Sequence, residues 1–319
     1  MLKNLSVVEI PYYDPFKWVV DLKDPSYPIS SPCEEFKKPR EIEDFELCGV
    51  YHKAGVPYTR ERLSYLSEDH PNEKGYLGFT RLLSDRCFAA LRAENGLFVT
   101  GGFCTYAPGI VGGIQRAIGE DKKIGIVWID EHADIAAPDR TNTDLLAGMP
   151  LSTIIGVCLD DWRVSCGLKK PCEGRHVLIS DYREGCKEED EIIAENQVNT
   201  LDAAQFKDEA AWRTAVEKLA EEVDAIYLQV DADIMSKEFV PAYDYPVPGG
   251  HDVNTVMRNA GIVMDTGKVI AFATTCFYFD TDAPGRETTT LSAMRVASAS
   301  LSRWKQSPVS RLIRRESEE

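Results

Sequence analysis

The stretch Ile129–Ile135, IDEHADI, follows the apolar run KIGIVW at 123–128 and places Asp130, His132 and Asp134 within five residues. About a hundred residues later a second apolar run ends in VDAD, Val230–Asp233. Residues alternate faces along a strand. Asp130, His132 and Asp134 therefore point together while the backbone stays extended, and Asp231 and Asp233 do the same. In a parallel α/β sheet, functional groups gather beyond the carboxyl ends of the strands, and both acidic strings sit there. Four aspartates and a histidine in one crevice repel one another unless cations lie between them. Carboxylate and imidazole together suit Mn, Fe, Ni or Zn more than Ca. For one aspartate, a helix cap or a turn explains the position equally well. Five ligand-type side chains in two clusters point instead to two metals bridged by carboxylates, the arrangement that activates a hydroxide nucleophile.

The surrounding pattern is that of an α/β protein. Short apolar runs that read as buried strands recur at Leu5–Ile10, Leu97–Thr100, Ile124–Ile129, His176–Ser180, Ala225–Val230 and Val269–Thr274. Helical patterns lie between several of them. In DEAAWRTAVEKLAEEV, Trp212, Val216, Leu219 and Val223 step by four, three and four, as one buried stripe requires. The segment ETTTLSAMRVASASLSRW predicts a second buried stripe on Leu291, Met294 and Leu301. Strands alternating with helices indicate a parallel sheet covered on both faces. No repeat, low-complexity linker or composition break divides the chain, so residues 1–319 read as one domain. Residues 24–45 read as an irregular excursion and 307–319 as a polar tail.

Composition excludes several function classes. The chain has 319 residues, 44% hydrophobic and 28% charged, with a formal charge of −16. That charge argues against nucleic acid or an anionic membrane as partner, because phosphate binding needs clustered Lys and Arg. No apolar stretch approaches the ~20 residues of a membrane span, and the N-terminus lacks the apolar core of a secretory signal. Nine cysteines without a regular framework suit reduced thiols, so a cytoplasmic location is expected. The glycine-rich GIVGGIQRAIGE, Gly109–Glu120, lacks Gly-x-Gly-x-x-Gly spacing and a Gly-Lys-Ser/Thr phosphate loop. No Gly-x-Ser-x-Gly elbow occurs either.

Three separated strings, GGFCT (101–105), VWIDEHADI (127–135) and VDADIMSKEFVPA followed by YPVPGG (230–250), resemble the arginase–agmatinase–formiminoglutamase (ureohydrolase) superfamily in order and spacing. The likeness spans roughly residues 95–300. It implies a three-layer α/β/α sandwich with a mainly parallel sheet and two divalent metal ions, manganese first. By the same resemblance Asp130 and Asp231 bridge the metals. Asp134 completes one site and steers the bridging hydroxide, while His132 and Asp233 complete the other. The remaining ligand position, a histidine in the family, holds Cys104. Family members commonly form trimers or hexamers, so a homo-oligomer is expected.

Four departures from the family pattern bear on function. Cys104 is softer than imidazole and shifts preference from Mn toward Zn, Ni or Fe; Phe103 beside it replaces an aspartate that could orient a ligand. In the loop APDRTNTDLLAGMP (137–150), Gly148 and Pro150 match, but Ala147 stands where a proton-transferring histidine is found. His251 and Tyr245 are the nearest replacements, with His251 taken as the catalytic candidate and Tyr245 as a substrate contact. Thr274 and Thr275 lie where the family has a guanidinium-binding glutamate, so Thr275 becomes a substrate contact and a less basic group than arginine's is implied. Asp181 aligns with the residue that holds a substrate amino group, and Thr141 and Thr143 with hydroxyls that hold its carboxylate.

These features imply a hydrolase that cleaves a linear C–N bond of an amidine, guanidino or related small molecule, with an amino-acid-like substrate if Asp181 serves as aligned. The competing reading is a non-catalytic regulatory or partner subunit on the same scaffold. It is motivated by the missing loop histidine and glutamate.

Overall fold

Each of the six apolar runs forms a strand, and four short strands join them. In chain order they are β1 (Leu5–Glu9), β2 (Val19–Asp21), β3 (Asp24–Ile29), β4 (Tyr58–Arg62), β5 (Gly96–Thr100), β6 (Ile124–Ile129), β7 (Val177–Ser180), β8 (Asn199–Thr200), β9 (Ala225–Asp231) and β10 (Val269–Thr275). The structure is a computed structural model that describes residues 1–10, 19–21, 24–29, 42–65, 75–183, 185–243, 248–277 and 284–313. Eight strands make one sheet in the order β4-β1-β5-β10-β9-β6-β7-β8, and every pairing in it is parallel. β2 and β3 pair antiparallel as a separate ribbon, so the first part of the expected irregular excursion is ordered. Pro25 and Pro28 in β3 are tolerated because a two-stranded ribbon consists only of edges.

The sheet is buried on both faces. β1, β5, β6, β7, β9 and β10 are buried at every position, which is why they read as unbroken apolar runs. β4 escaped notice because its sequence, YTRER, is largely exposed; charge on an edge strand discourages pairing with another chain. Connections β5→β6 and β6→β7 advance toward the β8 edge, whereas β9→β10 steps back. Right-handed crossovers then put the intervening helices on opposite faces. Helices Gly75–Arg92, Ala107–Ile118, Pro150–Ile154 and Asp160–Ser165 pack together in one layer, and Glu209–Glu222, Val253–Asp265 and Arg286–Arg303 in the other.

Helix Glu209–Glu222 buries Trp212, Val216 and Leu219, and Val223 just past its end, as predicted. Helix Arg286–Arg303 follows its predicted stripe in part. Leu301 is buried and Met294 packs partly buried against the core, but Leu291 is 55% exposed, while Thr289, Ser292, Ala293, Val296, Ala297 and Ser300 are buried. Small residues face inward along much of the helix because it packs closely on Val253–Asp265. The predicted polar tail contains a short helix, Val309–Leu312, with Val309, Leu312 and Ile313 buried.

Register places the site. Thr100, Thr274, Val230, Ile129 and Ser180 form one row across β5, β10, β9, β6 and β7. The next residue on each strand is Gly101, Thr275, Asp231, Asp130 and Asp181. The acidic strings therefore begin in the same row, at the carboxyl edge where ligands gather in such sheets.

Candidate metal centre

Both acidic strings leave the strand by the same local device. Asp130 Oδ1 accepts the backbone N–H of His132 at 2.8 Å, and Asp231 Oδ1 accepts that of Asp233 at 3.1 Å. Each is an aspartate closing a turn on the residue two further on. The extended backbone assumed from sequence ends here: β6 stops at Ile129, residues 232–234 form a 3-10 turn, and Asp134 has φ +47°. Strand alternation is therefore not what gathers these side chains. The turns bring the i and i+2 groups together instead, and they carry Glu131 inward as well, against the expectation that it faces away.

The result is two clusters. Ligand atoms of Asp130, His132 and Asp233 lie within 4.8 Å of one another, and so do those of Cys104, Asp231 and Cys276. His132 Nδ1 is 3.0 Å from Asp233 Oδ2 and 3.6 Å from Asp130 Oδ1, and its Nε2 is 3.0 Å from Glu131 Oε1. Glu131 is fully buried and accepts from Arg183 Nε at 3.1 Å. Arg183 also donates to Asp181 Oδ2 (2.8 Å), the Gly249 carbonyl (2.9 Å) and the Asp233 carbonyl (3.2 Å). One guanidinium thus ties together the ends of β6, β7 and β9. Glu131 and Arg183 were not singled out from sequence. A buried glutamate next to a histidine ligand carries no periodic signal, and Arg183 gains its meaning only from the fold.

Cys104 reaches the second cluster through the glycine pair before it. Gly101 and Gly102 have φ +83° and +73°, and a Cβ on Gly102 would lie 2.1 Å from the Tyr106 ring, so only glycine fits the turn. The Gly102 carbonyl accepts the Cys276 N–H at 2.8 Å, which fastens the end of β10 beside Cys104. Phe103 is buried with its ring edge on Tyr106. The Cys104 thiol lies 3.7 Å from the Ala147 carbonyl, so the 137–150 loop covers this side of the site. Cys276 was missed because the sequence reading stopped one residue short, at Thr275. All eight cysteines among the described residues are free thiols.

Charge is the dominant feature of the site. Burial pushes Asp130 and Asp231 well above the usual carboxylate range, and repulsion from Asp233 pushes both further. Burial raises Asp134 to about 7 although His132 and the Cys104 thiol pull it down. Burial alone would lower His132; the Asp130, Asp233 and Glu131 carboxylates around the ring overcome it and hold the ring protonated far above its ordinary value. Asp134 Oδ2 is buried with no hydrogen-bond partner. Buried carboxylates that repel one another, one of them with an orphaned oxygen, are what a cation site looks like when its donors are counted alone. The donor set fits two divalent ions. Strain agrees: Asp134, Asp181 and Cys276 are three of the seven non-glycine residues at positive φ among the described residues, each beyond a strand end at this crevice. Such backbone costs about 1–3 kcal/mol and persists where function fixes it.

The remaining expected residues are placed less favourably. His251 is buried, with its ring edge on Phe206, and its Nε2 sits 2.5 Å from Asp181 Oδ2. Its place comes from Gly250, where a Cβ would meet the Met235 and Ser236 backbone at 2.4 Å. Asp181 is occupied by His251 and Arg183, though its Oδ1 is buried and unpartnered. Thr275 donates to Asp231 Oδ2 at 3.1 Å, and Thr274 pairs with Thr100 at 2.9 Å. Thr141 donates to the Ala137 carbonyl (2.9 Å) and Thr143 accepts from Leu145 N (3.4 Å), both half-buried. Tyr245 lies outside the described residues.

Comparison with known proteins agrees with this picture. Residues 34–301 match the arginase family model. An arginase of Coccidioides posadasii is 24% identical over 220 residues, 65% of this chain and 68% of that protein. Among solved structures, the Entamoeba histolytica arginase in complex with L-ornithine superposes with a TM-score of 0.75 at 16% identity, covering 94% of this chain and 99% of the other. A formimidoylglutamase from Bacillus subtilis gives 0.69 at 14% identity, covering 96% and 88%. At these identities the likeness to solved structures carries the fold. No described helix is long and apolar enough to cross a membrane.

Proposed function

This chain belongs to the arginase family, and we propose that it is a metal-dependent hydrolase cleaving a linear C–N bond of an amidine, guanidino or related small molecule. The observation that carries this reading is the pair of adjoining ligand clusters, whose buried carboxylates repel one another without cations. Asp130, His132 and Asp233 would hold one divalent ion and Cys104 and Asp231 the other, with Asp130 and Asp231 reaching across and Asp134 beside them. Two such ions, when bound, supply Lewis acidity and bring the pKa of water into the neutral range, making it a nucleophile.

The chain's own groups do the rest. Glu131 Oε1, 3.0 Å from His132 Nε2, pairs with that side of the ring and directs Nδ1 inward. Arg183 neutralises Glu131 and holds its carboxylate in place. Asp134, poised near neutrality with a free Oδ2, is the group that takes a proton from water and returns it to the departing nitrogen. His251, whose Nε2 is paired with Asp181, is the second candidate for proton transfer. Asp181 Oδ1 remains available for a substrate N–H, and Thr141 and Thr143 stand at the loop that would meet a substrate carboxylate. No carboxylate occupies the Thr275 position, so a weakly basic amidine or ureido group suits the crevice better than a full guanidinium.

The same Thr275 and Ala147 motivate the second reading, a non-catalytic partner subunit. The deciding experiment is elemental analysis of protein purified without chelator, followed by turnover of an amidine, guanidino and ureido panel with and without Asp130→Ala. Two metals per chain and turnover abolished by the substitution are expected. Absence of transition metal, even after reconstitution, would refute the hydrolase reading and favour the partner subunit.

A further inference from the structure

We propose that Cys276 is a metal ligand, so that with Cys104 and Asp231 it turns one half of the centre into a dithiolate site selective for zinc or another thiophilic ion over manganese. This inference rests on the hydrolase reading only for the presence of a metal; the identity of the site comes from these three residues.

The geometry supports it from both sides of the crevice. The two sulfurs and an Asp231 carboxylate oxygen lie within 4.8 Å of one another. Two thiolates at about 2.3 Å from one tetrahedral ion would be separated by about 3.8 Å, within reach of small side-chain rotations. The two thiols and the Asp231 carboxylate are three donors, which leave the fourth position of a tetrahedral ion open to water or substrate.

The chain holds Cys276 in place with some effort. Its φ is +65°, a conformation L-residues avoid, and its N–H is fixed to the Gly102 carbonyl two residues before Cys104. One hydrogen bond between adjacent strands therefore delivers both sulfurs to the same point. Soft sulfur donors widen the preference for zinc over manganese beyond that of the Asp130–His132–Asp233 set. The two halves of the centre thus differ in the strength of that preference.

The test uses the full chain, stripped of metal and kept in a phosphine reductant. Loading with Co(II) should produce a near-ultraviolet thiolate-to-cobalt absorption, reduced by about half in Cys104→Ser and in Cys276→Ser and lost in the double variant. In competition with equimolar Zn(II) and Mn(II), the zinc preference of the unsubstituted protein should exceed that of the double variant at least tenfold. The Cys276→Ser protein should show at least a tenfold weaker zinc affinity. Circular dichroism of each variant guards against misfolding, and the spectrum of the unsubstituted protein does not depend on any variant. Cobalt bound without sulfur absorption, or an unchanged spectrum in Cys276→Ser, would overturn this inference and leave the hydrolase reading intact. Failure to bind any of the three ions would overturn both.

Discussion

Removing Arg183 tests whether the clusters are held by a buried charge network or only by the strands beneath them. Its side chain is 12% exposed and contacts Glu131 and Asp181, both of which are fully buried. Arg183→Ala leaves these two carboxylates without their cation and removes four hydrogen bonds. Breaking a buried ion pair by deleting one partner costs about 3–5 kcal/mol. The histidines remain beside the orphaned acids, His132 at Glu131 and His251 at Asp181, so the loss should fall near the lower end, about 3 kcal/mol. Urea unfolding in the presence of chelator isolates this effect from metal binding. With a slope of about 3 kcal/mol/M, expected for a chain larger than the smallest domains, the midpoint should fall by about 1 M. Arg183→Lys keeps the charge but not the fork that bridges four acceptors, and should lie between. A shift below about 0.3 M in Arg183→Ala would refute the network argument.

Other substitutions and conditions probe separate parts of the site. Glu131→Gln keeps shape but removes the charge behind His132, and should weaken metal binding at that cluster about 10–100-fold in competition titrations; an unchanged affinity would mean that Glu131 does not orient the ring. Gly102→Ala forces a Cβ into the Tyr106 ring at φ +73°. Strain and overpacking together should destabilise by about 3 kcal/mol, read as a lower melting temperature, and a neutral result would contradict the tight turn. In stripped protein, Asp134 holds a proton up to about pH 7 that the unfolded chain releases near about pH 4. The folded state then binds the extra proton, so stability should fall as pH rises through that window. His132, also raised, acts in the same direction at higher pH. Metal displaces these protons, so the melting gap between loaded and stripped protein should widen from pH 5 to pH 8; a constant gap would refute the assignment.

Much of this was legible in the sequence because it depends on local pattern. Strands buried on both faces must be continuous apolar runs, so β1, β5, β6, β7, β9 and β10 stood out, and the aspartates directly after two of them marked the carboxyl edge. Helix Glu209–Glu222 was legible for a similar reason, since a single wide stripe buries Trp212 and its neighbours. Helix Arg286–Arg303 was legible only in part: Leu301 and Met294 face the core, but close packing against another helix rewards small residues, and a hydrophobic count then misplaces Leu291. Edge strands such as β4 carry the polar residues that protect them and so hide from the same count.

At the site, the sequence determined which chemistry is present and the tertiary structure decided who meets whom. Asp130, His132, Asp231 and Asp233 were evident as donors, yet turns after the strands, and not strand alternation, bring them together. Cys276 joins Cys104 across 172 residues only because β5 and β10 are neighbours and Gly102 accepts its N–H. His251 was evident as a titratable side chain, but only the fold pairs its Nε2 with Asp181. Glu131 and Arg183 became significant only when strand ends distant in sequence converged on one guanidinium. Backbone pattern is set by nearest neighbours along the chain; the partner of a buried charge is set by whichever strand lies alongside.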